Sequence, residues 1–138
     1  MKIGLAFTLS LFCVSTFAQV QTYRATKLGY CGVKNGKVLS QLKWVDCNPN
    51  VAIIVDFSKG NVFVNSNTRR LFKIVKTYPP KYTTAYTLFK YDTKDSTGNT
   101  VGIALTHIKN ENDDYEIGFT FSDAFYVYQM TEALLENK

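Results

Sequence analysis

With 138 residues, the chain has room for one domain with a single core. Its 16 Lys and Arg against 11 Asp and Glu give a formal charge of +5. This mild excess aids solubility but is not clustered in a defined motif, so nucleic acid is not an expected partner. One histidine and three cysteines leave little material for a metal site or a nucleophile–histidine pair.

Residues 1–18 read as a signal peptide. Lys2 supplies a short basic start, GLAFTLSLFCVS an apolar stretch, and Thr16-Phe17-Ala18 small residues at minus three and minus one before Gln19. Phe12 stands before Cys13 where a lipobox needs a small side chain. No later run is apolar enough to span a membrane as a helix. The expectation is an exported protein, periplasmic or extracellular, whose residues 19–138 form one all-β domain.

Short runs rich in Tyr, Phe, Val, Ile and Thr follow, punctuated by turn residues. QTYRATKL (21–28) and GYCGVK (29–34) come first. KVLSQLKWV (37–45) returns across Asn35-Gly36, the strongest short hairpin signal, because a type I′ turn needs positive φ at both central residues. VAIIVDF (51–57) and NVFVNS (61–66) flank a second tight turn at Ser58-Lys59-Gly60, and RRLFKIVK (69–76) follows. Pro79-Pro80 breaks the chain, since neither residue can donate to a ladder. KYTTAYTLFKY (81–91) and TVGIALTHI (100–108) flank the polar loop DTKDSTGN. DYEIGFTF (114–121) follows the acidic turn NENDD, and AFYVYQM (124–130) precedes TEALLENK, read as a short terminal helix.

Alternation assigns faces. Val51, Ile53, Val55 and Phe57 share one side of their run, opposite Asp56, which is expected to be wet. Tyr115, Ile117, Phe119 and Phe121 share another, and Val101, Ile103 and Leu105 a third, with His107 at the end of that row. One buried and one wet face is the antiparallel pattern. The fold class predicted is all-β: a single antiparallel small barrel, or a flattened barrel or sandwich, of about eight to nine strands.

Candidate chemistry is sparse. His107 would have to serve any Ser-His or Cys-His site, but no nucleophile motif accompanies it, and a rim histidine with one hydrogen-bond partner explains it as well. The oxygen-rich turn at 110–114 lacks the central Gly and distal Glu of a calcium loop. Arg69, Arg70, Lys73 and Lys76 read as a solvated strand edge. Tyr78, Tyr82, Tyr86 and Tyr91 cluster in sequence, and Tyr126 and Tyr128 oppose Phe125 and Val127. Such rows can bind a ligand or pack across strands with the same spacing.

Cys31 and Cys47 are candidates for one disulfide in an exported chain. Register opposes it. A two-residue Asn35-Gly36 turn sets Cys31 opposite Ser40, which leaves Cys47 further along by roughly 23 Å at ~3.3 Å per residue. The bond requires the chain to bend back between 40 and 47. Otherwise Cys47 is a small buried residue where Asp46 and Asn48-Pro49-Asn50 turn into VAIIVDF. Trp44 is expected to be a core anchor at a strand end.

TYRAT (22–26), W-x-x-C (44–47) followed by AIIVDF, VFVNS (62–66), RRLFKIVK (69–76) and FSDAFYVYQM (121–130) together resemble a family of small, exported, uncharacterised bacterial all-β proteins with a calycin-like barrel. The resemblance covers nearly all of the chain after the signal segment, implies a barrel and export, and transfers no functional residue. The functional expectation is a non-catalytic module without metal or cofactor, binding a small apolar or amphipathic ligand inside the barrel. Ile53, Val55, Phe119, Phe121 and Tyr86 are its candidate lining. The alternatives are a protein–protein or glycan-binding surface built on the aromatics of 82–91 and 124–130, and a hydrolase around His107.

Overall fold

The computed structural model describes residues 20–133, apart from the side chains of residues 48 and 49. Residues 1–19, which include the expected signal segment, and residues 134–138 of the expected terminal helix lie outside them. The strands are β1 (Val20–Lys34), β2 (Lys37–Val38), β3 (Lys43–Asp56), β4 (Asn61–Asn65), β5 (Arg69–Thr77), β6 (Lys81–Tyr82), β7 (Tyr86–Lys94), β8 (Thr100–Ile108), β9 (Asp114–Thr120) and β10 (Ala124–Glu132). β1, β3, β4, β5, β7, β8, β9 and β10 pair antiparallel in chain order, and β10 closes onto β1. The result is an up-and-down barrel of eight strands, with the two-residue strands β2 and β6 outside the ring. Closure leaves no open edge on the ring strands.

The alternating rows converge inside. Ile53, Val55, Val62, Phe72, Val101, Ile117 and Phe119 are almost completely buried, and Tyr23, Ala25, Val64, Tyr91, Ile103, Leu105 and Met130 complete the same core. Each large side chain so buried contributes roughly 1.5–3 kcal/mol. Thr93 is the most deeply buried polar residue of this interior, and its hydroxyl is satisfied by donating to the Val101 carbonyl at 2.8 Å.

Aromatic pairs gather toward one end of the barrel. Tyr23 meets Tyr115 at 5.0 Å between ring centroids, Phe57 meets Tyr91 at 6.1 Å, and Tyr82 meets Phe89 edge-on at 6.4 Å. Burial raises the Tyr91 phenol to about 12 and the Tyr23 phenol further still, so both stay neutral through the physiological range.

Several boundaries differ from the sequence reading, each for a local reason. Residues 21–34 form one strand rather than two, because a bulge at Thr26 absorbs the phase change between the two apolar patterns. The Asn35-Gly36 turn forms as expected, with φ of 52° and 76° and Lys34 facing Lys37. The returning strand, however, lasts only for Lys37 and Val38 before the chain leaves the ladder and rejoins β1 at Lys43. Residues 46–50 are not a turn. β3 runs through them, and residues 47–50 bulge opposite the single residue Thr26, the setting in which a strand tolerates a proline. KYTTAYTLFKY is split at Thr83, whose hydroxyl accepts the Ala85 and Tyr86 amides and folds β6 back on β7. Thr131 and Glu132 continue β10 instead of starting a helix, held by pairing with Arg24 and Tyr23. Asp56 faces outward as expected, and its carboxylate organises the β3–β4 turn by accepting from the Ser58 hydroxyl and the Ser58 and Lys59 amides. Those bonds hold it below the ordinary carboxylate range.

Trp44 is not a core anchor. It lies 42% exposed on the outer wall, its indole resting over Gly29. Phe125 covers Gly118 on the same wall in the same way. Val127, Cys31 and Val33 are buried close to these pairs rather than in the main core. An aromatic over a glycine covers strand backbone that lacks its own side chain.

A contrast between two glycines tests this packing. A Cβ at Gly118 would sit 3.1 Å from the Phe125 ring, whereas one at Gly102 meets nothing nearer than Thr120 at 3.8 Å. Gly118→Ala is expected to lose about 1 kcal/mol, and Gly102→Ala to gain about 0.5 kcal/mol through the unfolded chain. Urea midpoints at unchanged m-value read both. Equal shifts in the two variants would contradict the account.

Candidate functional site

An eight-stranded barrel has room either for its own side chains or for one small ligand. Here the two halves differ. Past the Thr26 bulge, the alternation of β1 is shifted by one residue, so Leu28 turns inward. At this level the interior carries Val64 from β4, Arg70 and Phe72 from β5, Phe119 at the end of β9 with Phe121 just beyond it, and Tyr126 and Tyr128 from β10. These residues and Leu28 line an open cup of 150 Å³. The extra residues 47–50 lengthen the β3 side of the wall at this level.

Five rings form a connected lining. Tyr128 meets Phe119 edge-on at 6.1 Å, Phe119 meets Phe72 at 5.0 Å, Phe72 meets Phe121 edge-on at 6.2 Å, and Phe121 meets Tyr126 edge-on at 5.6 Å. Tilted and edge-on contacts are the favourable ones for ring quadrupoles. Phe72 and Phe119 are the buried floor. The Arg70 guanidinium stands 5.3 Å from the Phe72 centroid and 5.1 Å from the Phe121 centroid, within cation–π range of both.

A second depression of 250 Å³ adjoins the cup, sharing Leu28 and Tyr128 and adding Asp46, Cys47, Asn50, Ser66 and Asn67. Burial raises the Cys47 thiol above its ordinary value, and the neighbouring Asp46 charge raises it further. Burial also raises the Tyr128 phenol; Cys47 adds to that rise while the Arg70 charge opposes it. Tyr128 therefore stands between the cationic and the thiol sides of the mouth.

The expected lining residues separate. Phe119 and Phe121 belong to the cup. Ile53 and Val55 are packed solidly in the core and reach no pocket described above. Tyr86 occupies the outward phase of β7, half-buried and remote from the cup, because Thr87, Phe89 and Tyr91 take the inward one. The aromatics of 82–91 and 124–130 do not make one exposed row: Tyr82 is 68% exposed, Tyr91 is buried, and Tyr126 and Tyr128 turn into the cup.

Cys31 and Cys47 are free thiols. The reason is partly register and partly phase. Cys31 lies one residue past the Tyr30–Lys43 pair, while Cys47 lies one past the Lys27–Asp46 pair, a separation of roughly 17 Å along the sheet. Cys47 also packs against the interior cluster, whereas Cys31 pairs with outward-facing Phe125. His107 is the rim histidine expected. It stacks on Tyr115 at 4.5 Å and 11°, and its Nε2 lies 3.1 Å from Asp113. The oxygen-rich turn is occupied with itself, since Asn110 Oδ1 accepts the Asn112 and Asp114 amides and Asn110 Nδ2 donates to Asp114.

Arg70, Leu28, Tyr126 and Tyr128 were not among the expected lining. β5 pairs with β4 through Arg69–Lys73 and with β7 through Lys73–Thr77, so Arg69 and Arg70 have a strand partner on one side alone, and all four cations are exposed, in line with the solvated edge expected there. Arg69 and Lys73 lie outward, Arg69 4.4 Å over Phe63, whereas Arg70 shares the inward phase of Phe72. That phase was readable in RRLFKIVK, where Arg70, Phe72 and Ile74 alternate. Comparison with protein families, with functionally described proteins and with solved structures finds no match for this chain.

Thiol reactivity tests the geometry. Both cysteines should alkylate on unfolding. In the folded protein Cys47 should react before buried Cys31, and its rate should keep climbing above the pH at which an ordinary thiol levels off near 8.5. Asp46→Asn removes one of the two causes and should bring that pH down. Mass spectrometry of timed iodoacetamide reactions reads each site. Faster labelling of Cys31 would contradict this placement.

Proposed function

We propose that this protein is a non-enzymatic binding module that takes the apolar part of a small ligand into the aromatic cup. One observation carries the reading: a concave pocket lined mainly by aromatic rings, with a single charged group among them, at the mouth of a barrel whose remainder is packed. Such a combination is what small-molecule sites look like. The volume of 150 Å³ equals that of an engineered apolar cavity that accepts benzene, so the cup suits one ring or a short branched chain. Longer ligands would extend over Leu28 and Tyr128 into the adjoining depression. Export, read from residues 1–18, would place such a module in contact with solutes outside the cytoplasm.

The test is a methyl-labelled NMR titration with 2-phenylethanol. Leu28 and Val64 should shift with a dissociation constant of about 1 mM, or about −4 kcal/mol, for so small a ligand. Ile53 and Val55, deep in the core, should stay in place. Val64→Phe should fill the cup and abolish the shift at Leu28 while the protein remains folded. Unmoved Leu28 and Val64 at saturating alcohol would end this reading.

A further inference from the structure

The cup's one charged group carries the argument further. A guanidinium stays protonated at any physiological pH and offers five N–H donors in its plane. Arg70 stands over Phe72 and Phe121, so the two rings support its position without consuming a donor. Among the described residues, no carboxylate pairs with it, and no side-chain or backbone acceptor hydrogen-bonds to it; the one ion pair is His107–Asp113 at the other end of the barrel. The acid that feels its charge is Asp95, but that carboxylate already accepts from the Thr97 hydroxyl and the Thr97 and Asn99 amides. The other cations over rings, Arg69 on Phe63 and Lys76 on Tyr78, line neither the cup nor the adjoining depression.

Resting on the binding reading above, we propose that the ligand is an organic monoanion, an aromatic carboxylate in its simplest form, with its ring among Phe119, Phe121, Tyr126 and Tyr128 and its carboxylate on Arg70. The five-ring lining supplies edges and faces for a sixth ring, and a planar guanidinium matches a carboxylate bidentately. Asp46 lines the adjoining depression and repels an anion there, which orients the ligand head toward Arg70. A cation would find the reverse field: repelled by Arg70 and drawn toward Asp46, away from the aromatic floor.

Three probes of equal bulk separate the possibilities: phenylacetate, 2-phenylethanol and 2-phenylethylammonium, each titrated against the Leu28 and Val64 methyls and the Arg70 Nε–H signal. Phenylacetate should bind about tenfold more tightly than the alcohol, the scale of one charge-assisted contact that stays partly wet, and the ammonium more weakly than the alcohol. The phenylacetate advantage should shrink with added salt. Arg70→Met keeps an apolar stem over the rings. It should bind the alcohol within about twofold of the parent and lose the anion preference, while Arg70→Lys should keep part of it. If the alcohol binds and phenylacetate binds no better, the anion proposal is overturned and the cup survives. A preference that persists in Arg70→Met also overturns it. If no probe moves Leu28 or Val64, both fall together.

Discussion

The pairing of β10 with β1 is the contact on which everything else depends. It runs from Tyr23–Glu132 to Gly32–Ala124, joining the two ends of the strand sequence in one antiparallel ladder. Without it the molecule is an open meander with two exposed edges and no fixed interior. With it, the strand number sets the diameter, and the interior can hold only what eight inward rows deliver. Closure therefore converts a property of each strand, which residues point in, into a property of the whole: where the volume is filled and where it is not.

The irregularity at Thr26 divides that interior. Before it, β1 sends Tyr23 and Ala25 inward; after it, Leu28. The opposed residues 47–50 add length to β3 at the same level. The small residue Ala25 pairs there with Val51 and Met130, and all three are buried in the core. Beyond the bulge the wall is longer, and most of the inward residues are rings. The open end is a cup with Leu28 and Val64 among its rings, whereas toward the other end Tyr115 packs on Tyr23 and stacks on His107.

The parts of this structure legible in the sequence are those set by parity. The rows of 51–57, 101–107 and 115–121 point where alternation puts them, because a strand has only two faces, and the Asn35-Gly36 turn needs only its own two residues. What resisted reading was the joining of runs. A bulge and a turn interrupt alternation alike, so 21–34 looked like two strands and 46–50 like a turn. The choice between them is made by the partner strand, here β1 against β3, and not by the interrupted residues. Trp44 misled for a related reason. Its bulk argues for burial, but Gly29 opposite it offers a bare backbone surface on the outer wall, and only the cross-strand register reveals that offer. Phe119 and Phe121 were legible as members of the site because they end an apolar row. Arg70 was not, because a charge next to Arg69 reads as surface, and only its pairing with Val64 puts it on the inward phase beside the cup.

Arg70 shows how a barrel end can hold a charge that a barrel middle cannot. Deep burial of an unpaired guanidinium would cost several kcal/mol, and nothing in the core could repay it. At the mouth the side chain remains exposed to water while its stem and planar face cover Phe72 and Phe121, so the apolar floor is shielded without the charge being desolvated. The same position leaves the group without a carboxylate partner among the described residues. A leucine there would cover the floor equally well and close the cup to polar ligands. The arginine covers it with a group whose N–H donors can still meet an anion of the right shape.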